Sequence, residues 1–568
     1  MSVTEADRVL VYLGVFLAAF LLAQTDQRRQ RFGEGIGIGI TGVVLLALAT
    51  RLLPHVFSLS AEDTSGSRLF YPLHYWNANA LFCAMAVPLL LWLSRRSLVA
   101  FLRPFAAGTI PPVVLTLYFT YSRGGILVVV VATACLLALS SDRLWMLGTV
   151  LIGAICSVPS LLYVGTHSSI GNFVADGSLV GEGLVTLLLI LAGSAVAVVL
   201  FRAQRRAEQK RGATVARALA ISRDRRVLRG IGIATLVVLV VLGITVGSRA
   251  WSKFSSADLG VSATGTAHIG EVTSGGRVQF WDVALEAFGE KPLLGHGAGT
   301  YQFSWNQLRP IPMPVIDAHS LYLQPLAELG VLGGALVIGM VLFLLWVGVS
   351  AWRAASGRQR ELYAVLLSIS LAFALGAAFD WFWEIAGVGA VFFLATGALV
   401  AARCAQIWHA DGERPLRQRS GLTVAGLAIA WLSMLALIGP LLVNYELTAS
   451  NNAIAGGNAF NAIEHANTAR SIEPWAASPY RQLGLLAEAQ GETAEEGGDH
   501  VTAQGEYAEA IHRYDQAISR ENDNWALYFD RARAEHRAGD EEAAQADLAE
   551  AKRLNPLEAC LAEGFEGC

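Results

Sequence analysis

Twelve apolar runs recur over the first 443 positions, most long enough to cross a hydrocarbon core of about 30 Å. They lie near residues 9–24, 35–53, 72–93, 98–119, 124–140, 144–164, 180–201, 230–248, 328–350, 362–379, 385–402 and 421–443. In lipid every backbone N–H and C=O must be satisfied within the protein, so repeated runs of this kind, with no alternation, specify helices. Only 15% of the 568 residues are charged and 54% are hydrophobic, against roughly 25% charged in soluble domains. The expected fold class is therefore all-α, a polytopic membrane helical bundle of about 12 transmembrane helices. The first run has no basic stretch before it and no small-residue cleavage site, so it reads as a retained helix rather than a signal peptide.

Charge sets the expected orientation. The loops after odd-numbered runs (24–31, 94–97, 141–143, 202–229, 352–360 and 403–419) hold more than half of the 42 basic residues. The short opposite-side segments hold Arg8, Arg51, Arg68 and Arg123. Basic loops stay in the cytoplasm, which puts both termini and the long loop 249–327 outside. Asp380 and Glu384, in DWFWE, fall in an outer turn.

Composition changes after Val443, dividing the chain into 1–443, a transmembrane domain with its loop 249–327, and 444–568, a polar, Ala-rich helical segment. Gly539, Ala544, Leu548, Ala551 and Pro556 repeat the spacing of Gly505, Ala510, Tyr514, Ala517 and Asn522, 34 residues earlier. Gly457, Ala462, Ala466, Ala469 and Pro474 form a weaker third copy, separated by an insert around 492–505. This pattern resembles the tetratricopeptide repeat, a pair of antiparallel helices whose small residues permit close approach. Such an array either binds a protein partner on its concave face or serves as a stabilising cap. Of six cysteines, Cys83, Cys135 and Cys156 sit in apolar runs as packing residues, Cys404 lies at a cytoplasmic helix end, and Cys560 and Cys568 are placed to pair.

Within the loop, Phe280, Trp281, Ala284, Leu285 and Phe288 share one helical face, and Gly289 and Pro292 end that helix. A Trp/Phe face beside a bilayer is expected to lie along the interface. Further on, Asp317 stands at an N-cap position for a helix starting at Ala318, with His319 in its first turn and Gly330 breaking the chain before the next apolar run.

Three of these positions carry candidate chemistry. Arg123, in YSRGG, is either a lipid-facing cation or an anion site approached past two glycines. Arg277, at a helix start, is either solvated or a phosphate ligand, because a guanidinium fork beside free N–H groups favours an anion. His319 is a candidate general base, with Asp317 either orienting its ring or capping the helix, and Glu328 a supporting carboxylate. No metal-ligand motif, GKS/GKT phosphate loop or nucleic-acid-binding element is present, so no metal, cofactor or nucleic acid is expected.

Three stretches, YSRGG (121–125), GGRVQFWDVALEAFGEKPLLGHGAGTYQFSW (275–305) and DAHSLYLQPLAELGVLGG (317–334), together resemble the O-antigen ligase/polymerase family of bacterial membrane enzymes. The resemblance spans about residues 75–400. It implies a GT-C-like bundle in the cytoplasmic (inner) membrane, acting on undecaprenyl-diphosphate-linked glycans. It further implies His319 as catalytic base and Arg123 and Arg277 as diphosphate-binding residues, in a metal-free, inverting transfer to a glycan, lipid or protein hydroxyl. The outside amino terminus and the appended helical segment depart from better-known ligases and leave the acceptor open. The alternative is a transporter or flippase of lipid-linked glycans, which would carry charges along a central cavity and a two-fold internal repeat; neither is visible. A non-catalytic membrane scaffold is a third reading.

Overall fold

The computed structural model describes residues 2–57, 67–174, 176–210, 274–410, 420–435 and 438–566. Helices cover eleven of the twelve apolar runs; the run 230–248 lies outside the described residues, as do loop residues 249–273 and Cys568. The chain divides into two compact units, one of Tyr12–Val278 with Val337–Ala430, the other of Met1–Val11, Gln279–Leu336 and Trp431–Cys568.

The first unit is an all-helical bundle. It contains most of α1 (Ser2–Leu22), then α2 (Asp26–Leu52), α3 (Trp76–Arg96), α4 (Leu102–Thr120), α5 (Arg123–Leu139), α6 (Arg143–Thr166), the short α7 (Ser168–Asn172) and α8 (Leu179–Lys210). Further along, α9 (Arg277–Glu290), apart from its first two residues, and α10 (Tyr301–Leu308) fall in the second unit, while the bundle takes α11 (Gln324–Ala354) from Val337 on, α12 (Gly357–Gly376) and α13 (Ala386–Ala410). The central strut is α3, packed against α2, α4, α5 and α12, with 17 of its 21 residues buried. Apolar side chains gain little by leaving lipid for protein, so close backbone approach through small residues does the packing. Gly33 of α2 sits over Trp92 and Leu362, Gly37 over Leu93, and Gly125 of α5 over Ala80. Seven helical stretches among the described residues are long and apolar enough to cross a membrane, fewer than the twelve expected. One reason is that α5 has only 17 residues, and another that α12 opens on the polar run 358–361.

In the second unit, helices α14 (Ser420–Met434), of which Trp431–Met434 belong here, and α15 (Ile438–Ala455) lead into α16 (Ala459–Ile472), α17 (Ser478–Glu496), α18 (His500–Ile518), α19 (Trp525–Ala538) and α20 (Glu541–Leu554). Helix α15 runs across position 443 without a break. Successive pairs pack as hairpins: α15 with α16, α17 with α18, α19 with α20. The small positions of the 34-residue pattern are the contact surface. Ala462, Ala466, Ala469, Ala510, Ala517, Ala544 and Ala551 are all fully buried, and the rings of Tyr507 and Tyr514 press on Gly491 and Gly484. Buried acids are held by cations: Glu488 accepts from Arg533 at 2.6 Å, and Asp530 from Arg481 at 2.6 Å. Buried Arg309, just after α10, donates to Asn555 at 2.9 Å and Glu558 at 3.2 Å, tying the loop segment to the carboxyl-terminal end of the hairpins. Cys560 is disulfide-bonded, and its expected partner Cys568 lies outside the described residues.

Candidate active site

The GHGAG and ELG segments of the loop interlock through backbone. Gly295 (φ +69°) lies where a Cβ would stand 2.3 Å from the Glu328 carbonyl, and Gly330 (φ +64°) where a Cβ would stand 2.3 Å from that of Leu293. Only glycine adopts that backbone without strain and also admits such an approach. The approach is fastened by Gly297 N donating to Glu328 O at 2.7 Å, His296 N to Ala327 O at 3.2 Å, and Val331 N to Pro292 O at 2.8 Å. Gly330 breaks α11 as the sequence indicates. The buried Glu328 carboxylate accepts from Gly299 N (3.0 Å), Tyr301 N (3.2 Å) and Gln324 Nε2 (3.1 Å), so it caps the start of α10 and ties it to α11.

The cap expected at Asp317 is not there. The helix begins at Gln324, and Ser320 takes the capping role, its carbonyl accepting from Gln324 N at 3.0 Å and its hydroxyl from Leu323 N at 3.3 Å. Gln324 competes for the Asp317 segment: its Oε1 accepts from Ala318 N at 2.9 Å and its Nε2 donates to Asp317 Oδ1 at 3.3 Å. His319 consequently lies in a turn, in the left-handed region (φ +54°), a conformation that non-glycine residues adopt at a cost of about 1–3 kcal/mol. Its Nδ1 is 2.9 Å from the main-chain oxygen of Asp317. A carbonyl only accepts, so Nδ1 carries the hydrogen and the lone pair of the neutral ring is on Nε2. The ring packs on Phe280 (centroids 5.0 Å), which stands edge-on to Trp305 at 5.0 Å. Helix α9 buries Phe280, Val283, Ala284 and Ala287; of the expected face, Phe280 and Ala284 are packed against protein and Leu285 is exposed.

In the bundle unit, Arg277 opens α9 and donates Nε to the Phe379 carbonyl at 2.7 Å and Nη2 to Asp380 at 3.0 Å. Asp380 is 1% exposed and also accepts from the Tyr75 hydroxyl at 2.6 Å and Asn77 Nδ2 at 2.7 Å. Burial alone would lower the Arg277 pKa, but the adjacent Asp380 and Tyr75 outweigh it and raise the pKa. Arg123 opens α5, with Ser122 as N-cap accepting from Gly125 N at 3.0 Å. The two glycines after it are filled by protein: a Cβ on Gly124 would meet the Phe379 ring at 2.7 Å, and one on Gly125 would meet Ala80 at 2.4 Å. They pack against protein, and they bring the Arg123 end of α5 to the 379–380 turn that anchors Arg277.

Residues 183–338 match the family model of the O-antigen ligase. Over that segment the chain is similar to the O-antigen ligase family. No curated protein matches the chain. The ligase match includes Arg277, Asp317, His319 and Glu328, while Arg123 and Asp380 lie outside it on either side. Sequence reading missed Asp380 and Gln324. A carboxylate inside an aromatic run is the signal for the first, since burial demands a cation or several donors.

Proposed function

We propose that this chain is a membrane glycosyltransferase that moves a glycan from undecaprenyl diphosphate to an acceptor hydroxyl on the outer face of the bacterial cytoplasmic membrane. The acceptor oxygen forms a bond to the anomeric carbon as the bond from that carbon to the phosphate oxygen breaks, in a single inverting displacement. His319 Nε2 takes the hydroxyl proton, and the leaving lipid diphosphate keeps the electron pair. Arg123 and Arg277 offset the charge that develops on it. Asp380 holds the Arg277 fork in place, and Glu328 and Asp317 support the loop around His319. The helical hairpins of 444–568, read as tetratricopeptide-like, bring the glycan, lipid or protein acceptor, or a protein partner that carries it.

The observation that carries this reading is the His319 ring, fixed by the Asp317 carbonyl in the tautomer a general base requires, inside a segment that matches the O-antigen ligase. The test uses the purified full chain, a lipid-linked oligosaccharide and candidate acceptors. The unmutated protein is expected to release undecaprenyl diphosphate with transfer of sugar, and His319→Ala to release none. Equal release by both would remove His319 as base. Passage of intact lipid-linked glycan across liposomes, without transfer, would identify a transporter instead.

A further inference from the structure

The segment before α3 carries a cation for which the transfer reading has no role. Residues 67–71 are not helical, yet their backbone is bonded from three directions. Buried Arg51 donates Nη2 to Ser67 O at 2.9 Å, Leu69 N donates to Phe119 O at 2.9 Å, and Asn79 Nδ2 reaches the carbonyls of Leu69, Phe70 and Tyr71 at 3.0, 3.1 and 3.2 Å. Main-chain oxygens in a loop normally go to water. Here the Arg51 and Asn79 side chains take them, and the Phe119 carbonyl takes the Leu69 N–H, so Arg68 is presented from a fixed support.

The Arg68 guanidinium lies over the Trp76 ring, 4.7 Å from its centroid. The Trp76 ring is 5.1 Å from that of Tyr75, whose hydroxyl donates to Asp380, the carboxylate that receives Arg277. Arg68, Arg123 and Arg277 all belong to the bundle unit. Burial lowers the Arg68 pKa; Tyr75 acts to raise it, while the charges of Arg123 and Arg277 lower it further. No carboxylate stands among these influences on Arg68. Like charges held half-buried repel one another, and an anion with several oxygens relieves that repulsion.

We propose that Arg68 is a third phosphate-binding residue, reaching the diphosphate of the donor from the 67–71 loop while Trp76 supports its guanidinium plane. The assignment rests on the lipid-diphosphate donor proposed above. Stacking fixes the plane of the fork, leaving its N–H edge for phosphoryl oxygens, and makes Arg68 a binding residue rather than a proton-transfer one.

The test measures binding of undecaprenyl diphosphate and of undecaprenyl monophosphate to the full chain in nanodiscs, for the unmutated protein, Arg68→Gln, Arg68→Lys and Arg277→Gln, with thermal unfolding of each. Arg68→Gln is expected to lose about tenfold or more in diphosphate affinity, the scale of one charge-assisted contact, and to lose less for the monophosphate. Arg68→Lys, which keeps the charge, is expected to recover part of that loss. Diphosphate affinity unchanged in Arg68→Gln but lost in Arg277→Gln overturns the role of Arg68 and leaves the donor standing. Equal loss in the Gln and Lys variants together with a lowered unfolding temperature overturns it in favour of a purely structural arginine. Failure of the unmutated protein to bind the diphosphate overturns the donor reading and this one with it.

Discussion

Arg277 Nη2 lies 3.0 Å from Asp380, a carboxylate more than a hundred residues further along the chain and almost wholly shielded from solvent. Four donors converge on that one side chain: the Arg277 guanidinium, the Tyr75 hydroxyl, the Asn77 amide and the Trp381 main-chain N–H at 3.0 Å. A buried carboxylate with a single partner would cost several kcal/mol, whereas this one is satisfied on both oxygens. The start of α9 is thereby referenced to the start of α3.

Asp380→Asn keeps the size of the side chain and removes its charge. The variant is expected to insert and fold, to weaken donor binding, and to lower the rate of sugar transfer about 10- to 100-fold, because the Arg277 fork loses its fixed counter-charge. Transfer kinetics with varied lipid-linked donor check this. Unchanged donor dependence would mean that the pair is structural only.

At His319 the backbone and the ring make separate demands. His319→Asn tolerates the left-handed conformation and is expected to unfold within about 1 kcal/mol of the unmutated chain, while transfer falls by about 10²–10⁴ through loss of the base. His319→Val should lose transfer and also unfold earlier, since a β-branched residue at φ +54° is strained. Thermal unfolding beside a transfer assay separates the two effects.

Gly295→Ala combines a positive φ with a Cβ 2.3 Å from the Glu328 carbonyl, where neither backbone can give way. A loss of about 3 kcal/mol or more is expected, read as a lowered unfolding temperature or as protein missing from the membrane. Gly289→Ala, which meets nothing within 4 Å, is the matched control and should be neutral or slightly stabilising.

Among the helical hairpins, Glu535 is buried near Asp547, and its pKa is pushed up to about 7, with burial the larger cause. An acid whose folded pKa exceeds its unfolded value of about 4.3 favours the folded state when protonated, so its contribution is full at low pH and is lost as pH rises through 7. The hairpins should therefore unfold at lower temperature at pH 8.5 than at pH 5.5. Glu535→Gln should reduce that difference by about 1–2 kcal/mol. Hydrogen exchange of 525–554 in the full chain, at the two pH values, reports it.

Much of this architecture is legible in the residue string because lipid imposes a simple code. Apolar length marks spans without tertiary information, and the break at Gly330 and the end of α9 follow from glycine and proline. The buried small positions of the hairpins are visible as a 34-residue spacing. The site is less legible. Asp317 has the composition of an N-cap, but Gln324, seven residues on, takes its carboxylate and the Ala318 N–H, which moves the helix start and drops His319 into a turn. The Trp/Phe face of α9 gives no sign that Phe280 meets a histidine ring rather than lipid. Asp380 is invisible from one dimension, since its partners are scattered between Tyr75 and Arg277.

The reciprocal glycines at 295 and 330 bear on how such a protein can diverge. Each segment is the mould for the other, so the two can be inherited, grafted or redesigned only as a matched set. A hybrid that put any other residue at position 295 or 330 would fail at the seam, whatever the quality of its membrane helices.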